Sequence, residues 1–312
     1  MAPADLAYLE KLNDSLGKAG AAVLDELHPR DRLRADSLFT RMLVRGMLVP
    51  HSFYYPFDSV VTAPILYPAD SSFRVVTWHY TLNEADYRQK GVIQINTPDG
   101  SPKFFPLFDA SEYSDEPTDS IRDNRNWIGA IYYRIIQNEW NGKKVYTLLG
   151  YDENNSITTR KWVEVLRFNE RNEPIFGGNL FRVPFDSVFT PGSQRYLMEY
   201  KTGARARLNF DEEEDMIIMD YLVSETGEKH KRYTLVPGGD YSGLKWKDGA
   251  WEYVDRLDVE MRGDGNEPKP ALILGDDGMA NEEALQKQSD KNMKKSEENA
   301  TKNKPKKVKG NN

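Results

Sequence analysis

Cysteine is absent from all 312 residues, which excludes disulfides, thiolate nucleophiles and Cys-ligated zinc or iron–sulfur sites. Histidine is scarce. His28, His51, His79 and His230 are the only four, and none stands in an HxH or HExxH spacing that would set two imidazoles on one ion. His79, in a Trp-rich stretch, is the one to watch as a functional histidine. No apolar run approaches the ~20 residues of a membrane helix. The opening MAPADLAYLEKL has neither a basic n-region nor an apolar h-region, so no signal peptide is expected in it; a Met-Ala start equally fits a trimmed chain. There is no G-x-S-x-G elbow, Walker loop or G-x-G-x-x-G, and hence no motif for a serine hydrolase or a nucleotide-binding fold.

Charge of one sign is short in the body of the chain. The net charge is −7 overall, yet Asn281–Asn312 holds nine Lys against five Asp or Glu, a net of +4 that leaves −11 for residues 1–280. An acidic body repels nucleic-acid phosphates, so nucleic-acid binding by the folded part is not expected. Apolar residues at 39% and aromatics at 12% suffice for a sizeable core at this length.

Residues 4–49 read as helix. Leu6, Leu9, Leu12 and Leu16 share one face, with Gly17 and Gly20 interrupting the pattern. A second helix follows Pro29 and Asp31, both suited to a first turn. Its stripe is Leu38, Phe39, Met42, Leu43 and Met47, closed by Pro50; core packing against a sheet is the preferred reading and a partner-binding face the other. After Pro50 the period becomes two. Phe73–Leu82, Gly91–Asn96 and Lys103–Phe108 read as strands, with the turn Thr97-Pro98-Asp99-Gly100 between the last two. Asp109–Asn126 reads as an acidic surface loop.

Trp127–Asn138 and Lys143–Tyr151 flank Asn141-Gly142, the strongest short hairpin signal because both residues tolerate the positive φ of a type I′ turn. Further strands are Trp162–Phe168, Arg195–Tyr200, Ala204–Phe210, Met216–Val223, Arg232–Val236, Leu244–Trp246 and Trp251–Val254, the last two joined at Lys247-Asp248-Gly249. Short turns without intervening helices predict a mainly β fold, an antiparallel sandwich or open barrel built from hairpins. The expected organisation is N-terminal helices over 1–50, a β body over 51–275 and a disordered Lys-rich tail over 276–312. Pro56-Phe57-Asp58-Ser59-Val60 recurs as Pro184-Phe185-Asp186-Ser187-Val188. The echo marks either two similar modules, 51–125 and 126–275, or a coincidence. The tail cannot bury enough apolar surface to order itself. It is a solvated segment or, through its five lysines between Lys302 and Lys309, an electrostatic tether.

Few constellations carry chemistry. Asp152, Asn154 and Ser156 have the alternating oxygens that open a calcium loop, but Ile157 and Val163 stand where its Gly and bidentate Glu belong; a surface turn is preferred. Asp211–Asp215 reads as a solvated hairpin turn, and Asp264, Asn266, Asp276 and Asp277 as loop residues. Trp78, Trp127, Trp140, Trp162, Trp246 and Trp251 lie in or near strands, as core packing or as a surface row for sugar or peptide. The residues thus assign no catalytic, cofactor-binding or metal-binding position.

The segments FYYPFDSV (53–60), NWIGAIYYRII (126–136), GKKVYTLLGYDENNSITTRKWVEVLRF (142–168) and DYSGLKWKDGAWEYVDRLDVE (240–260) resemble an uncharacterised family of exported proteins common in Bacteroidota, over roughly residues 30–260. Tyr151 holds a position often occupied by Trp in that family. The resemblance implies an exported protein, periplasmic or outer-membrane associated, and carries no activity. The expectation is therefore a non-enzymatic envelope accessory or binding protein, with an envelope protein as partner and a glycan as another option. The alternative is a glycan hydrolase with paired carboxylates.

Overall fold

The computed structural model describes residues 1–83, 86–114, 116–184 and 193–257. Helices α1 (Pro3–Asp25) and α2 (Pro29–Met47) form the first layer. Each starts at a proline, whose missing N–H has no partner in a first turn, and each has an acid in that turn, Asp5 and Asp31. Helix α1 runs unbroken through Gly17 and Gly20, where the sequence pattern is interrupted. The reason is contact: a Cβ on Gly17 would lie 2.5 Å from the Ser59 carbonyl oxygen, and one on Gly20 2.7 Å from Thr62 Oγ1. Both glycines let the 59–62 segment press against the helix.

The first sheet contains β1 (Ile65–Leu66), β2 (Phe73–Asn83), β3 (Asp86–Ile95) and β4 (Phe104–Phe108) in sequential order. The second is built from β5 (Arg122–Asp123), β6 (Ile131–Trp140), β7 (Lys143–Asp152), β8 (Thr158–Phe168) and β9 (Pro174–Phe176) in the order β5-β9-β8-β7-β6. In the third, β10 (Phe181–Arg182) runs parallel to β15 (Ala250–Leu257). Strand β11 (Arg195–Lys201) returns to pair with β8. The third sheet is completed by β12 (Leu208–Asp211), β13 (Met216–Ser224) and β14 (Leu235–Lys247), in the order β10-β15-β14-β13-β12.

The predicted antiparallel β fold with two N-terminal helices is what the chain adopts. Asn141-Gly142 (φ 51° and 70°) and Asp248-Gly249 (φ 48° and 76°) make the expected tight turns. Several boundaries differ: the strand expected over Ala204–Phe210 begins at Leu208, the one expected from Trp127 begins at Ile131, and the expected loop Asp109–Asn126 contains the short strand β5. Arg232–Thr234 is a 3₁₀ turn, and the strands expected on either side of Pro237-Gly238-Gly239 are the single strand β14. The Pro-Gly-Gly sequence does not end the strand; opposite it the pairing with β13 shifts register between Asp220 and Leu222, an irregularity that absorbs those residues.

Side-chain alternation stacks the layers. Val76, Trp78 and Tyr80 of β2 meet Phe39, Leu43 and Met47 of α2, while Phe73 and Val75 on the other face of β2 meet Tyr146, Leu148, Trp162 and Leu166 of the second sheet. Val145, Leu149, Val163 and Val165 point the opposite way, onto Leu208, Ile217, Leu244 and Trp251 of the third sheet. The second sheet is thus apolar on both faces, unusual for antiparallel strands. Three buried polar knots tie the layers. Asp36 of α2 accepts from Trp78 Nε1 at 3.0 Å and from Lys90 Nζ at 2.5 Å. The buried Arg74 guanidinium donates to Gln94 Oε1, Tyr67 OH and the Tyr55 and Ser52 carbonyls, and lies 5.0 Å from the Phe57 ring centroid. Trp251 Nε1 donates to Thr147 Oγ1 at 3.0 Å across the second and third sheets.

Residues 185–188 of the PFDSV echo, and the expected tail over 276–312 with Asp264 and Asn266 before it, lie outside the described residues. No described helix is long and apolar enough to cross a membrane.

Candidate functional site

A polar cleft of about 320 Å³ opens at the seam between the first and second sheets, lined by Tyr87, Arg88, Gln89, Ser111, Glu112, Asp152, Asn154 and Arg160. Its position follows from strand lengths. Strand β4 pairs with β3 only over Lys90–Gln94, so the stretch Tyr87–Gln89 forms a sheet edge at this end. The chain leaving β4 turns across that edge: Asp109 Oδ2 accepts from the Gln89 backbone N–H (3.2 Å) and its Oδ1 from Ser111 N–H (2.9 Å). Gly129 makes room for this carboxylate. A Cβ there would lie 2.6 Å from Asp109 Oδ1, and its φ of +76° is itself one that glycine adopts without strain. The 3₁₀ turn Ser111–Tyr113 then forms one wall, and the β7–β8 turn forms the other.

Asp152 is the central group. It is buried, and Gln89 Nε2 (2.6 Å) and the Asn154 N–H (2.8 Å) both donate to its Oδ1, which leaves Oδ2 for a ligand. Burial raises its pKa to about 7, helped by the nearby charges of Asp109 and Glu153 and opposed by the Asn154 hydrogen bond and Arg160. It is therefore a carboxyl that holds its proton up to neutrality. Arg88 is paired with Glu112 at 3.0 Å. Arg160 Nε lies 3.2 Å from Glu199 Oε2 but off line, so its N–H makes no aligned hydrogen bond.

The turn that the sequence marks as a possible opening of a calcium loop is used internally. Asp152 caps Asn154, Asn155 Oδ1 accepts from the Ile157 and Thr158 N–H groups (both 2.9 Å), and Asn154 Nδ2 donates to Thr158 Oγ1 (2.6 Å). It is a turn, as preferred, though with its leading carboxylate buried instead of on the surface. Among the described residues, no group of three or more His, Cys, Asp or Glu is placed to hold a metal ion. Asp211 caps Glu213 and Glu214 (2.9 and 3.1 Å), while Glu212 pairs with Arg134, a hairpin turn as expected.

His79 sits opposite Gln89 in the β2–β3 ladder. Burial lowers its pKa against the opposing influence of Glu153. It touches the Tyr87 ring edge-on at 6.4 Å and borders an apolar crevice with Val23, Leu24 and Phe39 that has no space for water. His51 is stacked over Gly100, and His28 precedes α2. The tryptophans are mostly core: Trp78, Trp127, Trp162 and Trp251 are buried, and Trp140, at 43% exposure, packs over Gly249.

A second polar centre was not foreseen. Tyr132 OH donates to Glu164 Oε2 (2.5 Å) and accepts from Trp127 Nε1 (2.8 Å); Arg195 Nε donates to Glu164 Oε1 (2.8 Å). Arg195 Nη1 also grips the Pro117 carbonyl at 2.5 Å, and Arg122 holds Ser114 Oγ. The Glu164–Arg195 pair, with both side chains fully buried, therefore anchors the loop whose start is the cleft wall. A glutamate at an inward position of the apolar run WVEVLRF was the signal for it.

Compared with family models, curated proteins and solved structures, the chain matches none.

Proposed function

We propose that this chain is a non-enzymatic binding protein of the cell envelope that holds its ligand in the cleft between the first and second sheets. The observation that supports binding over hydrolysis is the state of the carboxylates. Asp152 Oδ2 has no protein hydrogen bond, whereas Glu112 and Glu199 are each tied to an arginine and Asp109 accepts two backbone N–H groups. Hydrolysis of a glycoside needs a second carboxylate able to act as base or nucleophile across the bond, and none here is disengaged. The envelope location rests on the sequence resemblance. The test is protein-observed NMR of the full chain with soluble polysaccharides and peptides. Shifts confined to Tyr87–Gln89, Ser111–Glu112 and Asp152–Arg160 without substrate breakdown support the proposal. Release of reducing ends from any of the polysaccharides would sink it.

A further inference from the structure

We propose that the ligand of this cleft is an uncharged glycan, whose hydroxyls bond to Asp152, Asn154 and Arg160 while a sugar face lies against Tyr87. The inference rests on the cleft being the binding site. Three observations carry it. The first is charge balance: each lining arginine has its own glutamate, Arg88 with Glu112 and Arg160 with Glu199, and Asp152 is neutral below about pH 7. An anionic ligand would have to displace one of those glutamates against the charges of Asp109 and Glu153 beside Asp152, and a metal ion finds no group of three His, Cys, Asp or Glu among the described residues; either pays desolvation without a matching partner.

The second is the mixture of polar groups. Asp152 Oδ2 carries no protein hydrogen bond, while the Arg160 Nε–H, without an aligned acceptor, is itself buried. In its acid form Asp152 presents an O–H donor, and Asn154, Gln89 and the Arg160 guanidinium line the same cleft. A sugar hydroxyl both accepts and donates, so adjacent hydroxyls can meet such a mixture where a carboxylate or an ammonium cannot. The third is aromatic surface: Tyr87 lines the cleft, and an aromatic ring gives the apolar face of a pyranose an area to cover.

The groups facing Asp152 are Gln89 on β3 with His79 opposite it on β2, Asp109 after β4, Glu153 and Asn154 in the turn, and Arg160 on β8. Ionising Asp152 removes its donor and places a negative charge against ligand oxygens, so affinity falls as pH rises past neutrality.

The experiment is titration calorimetry of the full chain with neutral oligosaccharides (glucan, mannan and xylan fragments), uronate oligomers of equal length, and acidic and basic peptides. Each ligand is run from 50 to 500 mM NaCl and from pH 5.5 to 8.5. The expected result is binding of a neutral oligosaccharide with less than about twofold salt dependence and about tenfold weaker affinity at pH 8.5. Asp152→Asn is expected to abolish that pH dependence, and Tyr87→Ala to weaken binding at least about tenfold. Ser111→Arg, which fills the cleft without removing a core contact, is expected to abolish binding with an unchanged melting temperature. If a uronate or a peptide binds and is blocked by Ser111→Arg while neutral sugars do not bind, the glycan assignment falls and the cleft reading stands. If a ligand binds equally to Ser111→Arg, or if no ligand binds, both fall.

Discussion

Replacing Asp152 by asparagine isolates the cost of burying this carboxyl. Its pKa rises from an ordinary 3.8 to about 7 in the fold, while in the unfolded chain it titrates near 3.9. Between those values the unfolded state releases a proton that the folded state keeps. Each pH unit of that interval then removes about 1.4 kcal/mol of stability. Some three units give about 4 kcal/mol in all, fully lost once the pH passes about 7 and flat above it. Asparagine keeps the shape and an oxygen for Gln89 Nε2 and the Asn154 N–H, and it never ionises. Asp152→Asn is therefore expected to equal the parent near pH 4 and to exceed it by ~2–4 kcal/mol at pH 8. Urea unfolding of both proteins at half-unit steps from pH 4 to 8.5 reads this directly, because the remaining carboxylates cancel in the difference. Parallel curves for parent and variant across the whole range would refute the reasoning.

Three further changes follow from the buried knots and the helix contact. Glu164→Gln strips the counter-charge from the fully buried Arg195 and is expected to lower stability by ~3–5 kcal/mol; a loss under about 1 kcal/mol in urea would show that the pair is dispensable. Arg74→Lys replaces a fork that reaches four acceptors with a point charge that cannot, for a loss of ~2–4 kcal/mol in the same assay. Gly17→Ala gains about 1 kcal/mol of helix propensity, but its Cβ meets the Ser59 carbonyl. The net outcome expected is a melting temperature lowered by several degrees, and a raised one would contradict the close helix contact.

What the sequence could announce was periodic or local. The period-two runs and the Asn141-Gly142 and Asp248-Gly249 pairs specify strands and turns without help from distant residues, and both turns and most of those strands are present where expected. Gly17 and Gly20 misled because propensity sees a missing side chain, whereas the contact that exploits it comes from residues 59–62. The strands expected over Arg232–Val236 and Leu244–Trp246 join for a similar reason, since pairing with β13 holds one strand across Pro237-Gly238-Gly239. The cleft was half legible. Asp152 and Asn154 stood out as a cluster of oxygens, but their partners come from β3 and the turn after β4, some 40–65 residues earlier. No spacing rule joins Gln89 to Asp152; the short reach of β4 along β3 does, and that is a property of the assembled sheet.

A sheet with no wet face has a bearing on how this protein can be handled. Phe73, Val75 and Ile93 shelter one side of β7 and β8, and Ile217, Leu244 and Trp251 shelter the other, so neither flanking portion can be trimmed away without baring a broad greasy plane. Fragments ending near residue 125 or starting there should precipitate on expression. Amide protons of Thr147, Leu149, Val163 and Val165 should be the last in the chain to exchange with deuterium, at rates set by whole-molecule opening.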